Sequence, residues 1–386
     1  MDFEFYGIRF SEKDGVLSAG VFGEAECKIP VSDVRIAGEN ITTQTPAKQP
    51  FAGKDVLRFL KAEQNDGRLV IMQENEVCRT ETVLEKHGGG ISAYVQVKNT
   101  SGRELVMESV SVLNLSGFFV SGRENTYIYR FYNSHHCECQ PRRISLDQAG
   151  LFETGHRTFK RVYGFNAGSW PCKEELPQCI LEDEENKKFL MFQIESCGGW
   201  YWEIAEGCGC KLYLSLSGGN FSFTGWKKRL APDEKYVSRK VSLCVGDSLN
   251  GVLQKMTLYR RDTAEFGTAD QDLPVIFNEY MYFSWDSPEE ERTLALVPVA
   301  AECGADIYVI DCGWHDEVDG SKIYPYVGKW KESKVRFPHG VRSITDYIRS
   351  FGMKAGLWIE PEVVGSLSGE EYPDDAYIRT NGQRVL

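Results

Sequence analysis

Three short segments of this sequence run from apolar residues straight into groups that bind or move protons. Tyr308, Val309 and Ile310 lead into Asp311, Cys312, Gly313 and Trp314. Val275, Ile276 and Phe277 lead into Asn278, Glu279, Tyr280 and Tyr282. Gly356 and Leu357 lead into Trp358, Glu360 and Glu362. Carboxylates accept hydrogen bonds from vicinal hydroxyls, and flat aromatic rings pack against the apolar C–H face of a pyranose. This mixture suits a sugar. Cys312 is out of keeping, because a thiol is a weak acceptor. Plainer alternatives stand beside the sugar reading. Asp311 is also the residue type that caps a turn, Trp358 fits a core, and Glu360-Pro361-Glu362 fits a solvated loop. Residues 315–320 read as an acidic solvated loop, with the wrong ligand spacing for calcium.

The elements that must carry these groups alternate in type. Residues 275–283, 306–314 and 354–364 read as strands, the middle one buried on both faces. Residues 287–304 have helical character, with Ser287 as N-cap, Pro288 in the first turn and Glu290 completing a capping box. Pro298 is expected to bend that helix. Residues 339–354 place Val341, Ile344, Tyr347, Ile348 and Phe351 on one face, and Gly352 caps the end. Strand, helix, strand, helix, strand is the start of a parallel α/β system. Ligands bind such systems at the carboxyl ends of the strands, which puts the three loaded segments on one rim.

Upstream the pattern is different. Alternating segments at 91–99, 104–115, 188–196, 200–206, 210–218 and 236–246 are separated by turns rich in Gly, Asn and Ser. Many strands with such punctuation predict a large antiparallel sandwich. Residues 249–263 then show helical spacing through Leu249, Val252, Leu253, Met256 and Tyr259, predicting a helix that leaves the sandwich. The expected organisation is a sandwich over 1–262, a linker over 263–274 and an α/β segment over 275–386. A chain of 386 residues is also too long for one ordinary core.

Composition narrows the partners. The chain is 42% hydrophobic and 26% charged, as in a soluble globular protein. A net charge of -12 argues against nucleic acid and anionic membrane as partners. No apolar run is long enough to span a bilayer, and the first ten residues do not read as a signal peptide. The twelve cysteines are scattered, which fits reduced thiols in a cytoplasmic protein. His135, His136, Cys137 and Cys139, with Cys208 and Cys210, lack the paired spacing of a zinc finger or ribbon. No metal and no cofactor are expected.

In order, "VIDCGW" (309–314) and "GKWKESKVRFPHGVRSITDYIRSFGMKAGLWIEPEVV" (328–364) resemble the catalytic domain of glycoside hydrolase family 36, the α-galactosidase or melibiase family. Residues 179–204 resemble its amino-terminal β-supersandwich. The resemblance implies a β-supersandwich followed by the first three strands of a (β/α)₈ TIM barrel, in a retaining glycosidase acting on α-galactosides or related oligosaccharides. It implies Tyr280, Asp311, Cys312 and Trp358 as sugar-binding positions. The nucleophile and the acid/base are expected beyond Leu386, and the full-length protein is expected to be a homo-oligomer. Three positions depart from the family pattern: Tyr280 stands for a Trp, Cys312 for the second Asp of a pair, and Lys329 for the Asp before Trp330. Cys312 puts strict galactose preference in question. A carbohydrate-binding or assembly protein without catalysis is the alternative reading.

Overall fold

Ile91–Asn99 shows how the first part of the chain builds itself. Val95 and Val97 point inward and are buried, while Tyr94, Gln96 and Lys98 alternate with them on a half-exposed face. In the computed structural model, which describes residues 1–38, 56–118, 120–156, 160–207, 210–267, 271–285, 287–315 and 323–385, this pattern recurs across two large sheets. The chain divides into two units, 1–264 and 265–386.

In the first unit, a ten-stranded sheet is ordered Gln140–Ser145, Thr126–Tyr132, Glu175–Asp183, Lys188–Glu195, Lys240–Gly246, Ile91–Asn99, Cys78–Lys86, Arg68–Glu74 and Arg58–Asn65, with Lys235–Val237 also pairing Ile91–Asn99. A six-stranded sheet is ordered Arg161–Asn166, Trp200–Glu206, Leu212–Gly218, Leu105–Leu115 and Lys228–Leu230, with Asp33–Ile36 also on Leu105–Leu115. The strands of both sheets pair antiparallel, and an isolated parallel bridge links Gly20 to Ser116. Inward side chains of both sheets, among them Trp202, Phe192, Leu214 and Val95, share one core. Residues 2–20 add a three-stranded sheet whose Ile8, Phe10 and Leu17 join that core.

Two details differ from the sequence reading. The segment 236–246 is interrupted, because Ser238 Oγ takes the Val95 N–H at 2.9 Å and splits the strand. The helix Leu249–Thr263 packs back on the ten-stranded sheet instead of leaving it. Val252, Met256 and Tyr259 are buried against Ile180 and Met191, and Leu253 faces outward. Ser248 caps it by accepting the Gly251 N–H at 3.1 Å.

The second unit contains a parallel three-stranded sheet: β1 (Ile276–Asn278), β2 (Ile307–Ile310) and β3 (Lys354–Leu357), with β2 central. Helix α1 (Glu290–Glu302) connects β1 to β2, and α2 (Val341–Ser350) connects β2 to β3. Val297 and Ala300 of α1 and Val341, Ile344 and Ile348 of α2 pack with Tyr308 and Ile310 in a separate core. On β2, Tyr308 and Ile310 are buried and Ile307 and Val309 half-buried, so only one face is closed.

The expected strand 275–283 is cut to three residues. Asn278 Oδ1 takes the Tyr280 N–H at 2.8 Å, an Asx turn that competes with the ladder, and Tyr280–Ser284 wind into a π-helical turn. Ser287 does not cap α1. Glu289 occupies that position without a side-chain bond, and the Glu290 carboxylate instead holds the His339 backbone N–H at 3.1 Å and its ring at 2.5 Å. Pro298 lies inside α1. Phe351 is exposed instead of joining the α2 face. It occupies the cap position, and Gly352 follows in the left-handed region at φ 84°.

Candidate functional site

Parallel register brings the three loaded strand ends together. Asn278 lies opposite Val309, and Ile310 opposite Leu357, so Glu279, Asp311 and Trp358 emerge at one end of the sheet. The ladder continues into them. Glu279 N–H donates to the Val309 carbonyl at 3.4 Å, and Trp358 N–H to the Ile310 carbonyl at 3.0 Å.

Asp311 is 9% exposed and rigidly held. Its Oδ2 accepts from Asn278 Nδ2 at 2.6 Å, and its Oδ1 accepts from the Cys312 N–H at 2.7 Å. The turn-holding role raised from sequence is therefore real for one oxygen. A carboxylate offers about four acceptor directions, so two donors do not saturate it. Gly313 follows at φ 99°, a left-handed conformation that explains the glycine, and its carbonyl accepts from Arg336 at 2.7 Å. Cys312 is buried at 1% exposure.

Trp358 is half-buried within an aromatic group that the sequence reading did not assemble. The His315 ring lies 6.0 Å from Trp358, nearly parallel, and 4.8 Å from Trp330; Trp330 and Trp358 are 6.0 Å apart. Trp314 stacks on Trp330 and donates its indole N–H to the Trp358 carbonyl at 2.8 Å. Trp330 sits at φ 48°, a conformation that local propensity does not predict. Tyr280 is half-buried and meets Trp285 edge-on at 5.5 Å. The Tyr282 side chain and residues 316–320, read above as an acidic loop, lie outside the described residues.

The other acids divide sharply. Glu279 is fully buried below the rim. Its Oε2 accepts from Tyr308 at 2.7 Å and from Thr293 at 3.0 Å, while Oε1 is enclosed with no hydrogen-bond partner among the described residues. Burial raises its pKa, and the nearby Asp311 charge raises it further, against the pull of Tyr308, Thr293 and Arg292. Glu360 is half-buried with an enclosed Oε2, and Glu362 is exposed. Among the described residues no cluster of His, Cys, Asp and Glu is placed to hold a metal, Cys137 and Cys139 are exposed thiols, and no helix is long and apolar enough to cross a membrane. Cys208 lies outside the described residues.

Comparison with known proteins points in one direction. The sequence profile of the Melibiase family matches residues 236–383. The α-galactosidase Mel36A of Lactobacillus acidophilus is 28% identical over 51% of this chain and 27% of its own length. The α-galactosidase AgaA of Geobacillus stearothermophilus is 30% identical over 50% of this chain and 26% of its own. A crystal structure of AgaA in complex with raffinose superposes with a TM-score of 0.71 at 16% identity, covering 96% of this chain and 57% of that one. The aligned regions span about a quarter of these two relatives' length.

Proposed function

Because this chain belongs to glycoside hydrolase family 36, the α-galactosidase family, we propose that it serves an α-galactosidase-like retaining hydrolase and supplies its grip on the sugar. The substrate would be a terminal α-linked galactose or a closely related sugar. Asp311 would accept from ring hydroxyls, Trp358 would wall the apolar face, Tyr280 would supply a second aromatic surface, and Cys312 would line the wall beside Asp311. The observation that carries this is the placement of Asp311. It is rigid, nearly buried and engaged by only two neutral donors among the described residues, at the same sheet end as the Trp358 cluster.

In this reading residues 1–262 are the family's β-supersandwich, 263–274 a linker and 275–386 the first three strands of a (β/α)₈ barrel. The open sheet supports it: Ile276, Leu357 and Ile359 are exposed apolar residues on or beside strands that elsewhere in barrels are covered. Retaining hydrolysis needs two carboxyl groups about 5–5.5 Å apart. We assign neither to residues 1–386, since Glu279 is sealed below the rim. A homo-oligomeric, cytoplasmic enzyme without cofactor completes the proposal. The test is binding of raffinose to the purified chain by calorimetry, with and without Asp311→Ala. Equal affinities would leave Asp311 a structural residue and remove the centre of the proposal.

A further inference from the structure

A second cleft, far in sequence from the strand ends, lies wholly within the first unit. It has a volume of about 440 Å³, within the range of small-ligand sites. Gly168 and three further segments line it. One, over 196–199, carries the chain from the ten-stranded to the six-stranded sheet. The others span 217–226 and 236–239.

Its lining combines three things. Trp226 and Tyr236 form an aromatic corner, with ring centroids 5.5 Å apart and planes inclined at 50°. Both rings rest on the main core without being enclosed by it. Arg239 is exposed, and its guanidinium makes no hydrogen bond or ion pair among the described residues, although this chain is rich in carboxylates. The surroundings are bare backbone. A Cβ on Gly219 would come within 2.9 Å of Trp226, and one on Gly218 within 3.2 Å of the Arg239 stem. Glycine at those two positions is therefore what lets the bases of the Trp226 and Arg239 side chains approach the turn closely. An aromatic corner offers its faces to C–H groups, a guanidinium donates to pairs of adjacent oxygens, and glycine turns expose backbone amides.

We propose that this cleft is a non-catalytic binding site for a neutral polysaccharide, with Trp226 as stacking platform and Arg239 as hydroxyl clamp. The net charge of -12 disfavours an acidic polymer. The proposal stands apart from the strand-end reading, since no residue is shared.

The experiment is native electrophoresis of the chain through gels containing soluble glucomannan, a neutral polysaccharide without α-linked galactose, with polygalacturonate gels in parallel. Glucomannan should retard the unaltered chain. Trp226→Ala and Arg239→Ala should each weaken that retardation about tenfold in apparent dissociation constant. Gly198→Gln provides a variant that keeps both ligand groups. A Cβ there meets only the Gly168 carbonyl at 3.5 Å, so the fold tolerates it while the side chain fills the cleft. It should weaken retardation at least as much as the two alanine variants do, with an unchanged circular dichroism melt. No retardation of the unaltered chain, insensitivity to Trp226→Ala or to Gly198→Gln, or stronger retardation by polygalacturonate would each overturn the proposal.

Discussion

Two buried carboxylates of the first unit and two of the second are held in different ways. In the first, Glu206 is 1% exposed and bonded at 2.6 Å to Arg123, whose guanidinium also donates to the carbonyls of Leu151, Phe152 and Cys210. Glu203 is bonded by Tyr201, Tyr213 and Arg161. These two acids each have a permanent cation, whereas Asp183 of the same unit, equally buried, accepts only from Ser121 and Asn186 among the described residues. In the second unit, Asp311 sits close enough to Glu279 to raise its pKa, yet among the described residues each of the two accepts only from neutral donors. Uncompensated buried charge costs stability. Asp183 is completed by neutral donors at both carboxylate oxygens. Glu279 instead keeps an enclosed oxygen with no partner among the described residues, beside Asp311 at the strand ends, and that pairing is what separates the site acids from the scaffold acids.

Removing the scaffold cation should show the largest effect. Arg123→Ala takes the cation from Glu206 and a donor from three carbonyls, and is expected to destabilise the first unit by about 3–5 kcal/mol in urea unfolding. Asp311→Ala should behave differently. It removes a like charge beside Glu279, so its melting temperature should change little. Its affinity for galactosides should fall by one to two powers of ten, because a hydrogen bond to a charged group contributes about 1.5–3 kcal/mol. If Asp311→Ala unfolds the chain as severely as Arg123→Ala, the division between scaffold and site acids fails.

How much of this was legible beforehand depended on the range of the interaction. Strands such as Ile91–Asn99 and Trp200–Glu206, and the helix Leu249–Thr263, follow from local periodicity and appear with the expected limits. The rim was legible too, because parallel strands of matched register must present Asp311 and Trp358 at one end. What escaped depends on side chains acting on backbone. Asn278 ends β1 early, and Ser238 splits a strand. The grouping of His315, Trp314 and Trp330 around Trp358 also escaped, since Trp330 arrives from a loop in a backbone conformation with no propensity signal.

Glu279 sharpens the comparison through pH. Its pKa is raised from 4.5, so the folded chain retains a proton that the unfolded chain has released. Its contribution to stability is fully present below the unfolded pKa and is lost as pH rises through the folded value. Glu290 and Glu332, whose pKa values are lowered by His339 and by Lys334 with the Val341 N–H, act in the opposite sense. Only the difference between wild type and variant isolates Glu279. Glu279→Gln keeps an acceptor for Tyr308 and Thr293 but cannot ionise. It should therefore lose less melting temperature than wild type between pH 5 and pH 8. Parallel curves would mean that Glu279 is ionised at both pH values and that the raised pKa is immaterial.

The smallest expected effect belongs to Cys312, and it tests whether this wall reads the sugar at all. The thiol is 1% exposed, adjacent to Asp311, and a weak acceptor. In the proposed complex it leaves one hydroxyl of plain galactose poorly held, or leaves room for a substituent. Cys312→Asp adds an acceptor for that hydroxyl but also a further buried charge near Asp311 and Glu279. The gain is therefore limited to about 0.5–1.5 kcal/mol, the net value of an ordinary hydrogen bond, or roughly two- to twelvefold in affinity. Cys312→Ser, uncharged and similar in size, should move in the same direction by less. The readout is the ratio of affinities for an unmodified galactoside and its 4-O-methyl and 6-O-methyl derivatives. Aspartate should raise that ratio, serine should follow, and stability should fall only for aspartate. If both variants leave the ratio unchanged while the aspartate variant is destabilised, Cys312 faces the core, and sugar preference is set by Asp311 and the aromatic group alone.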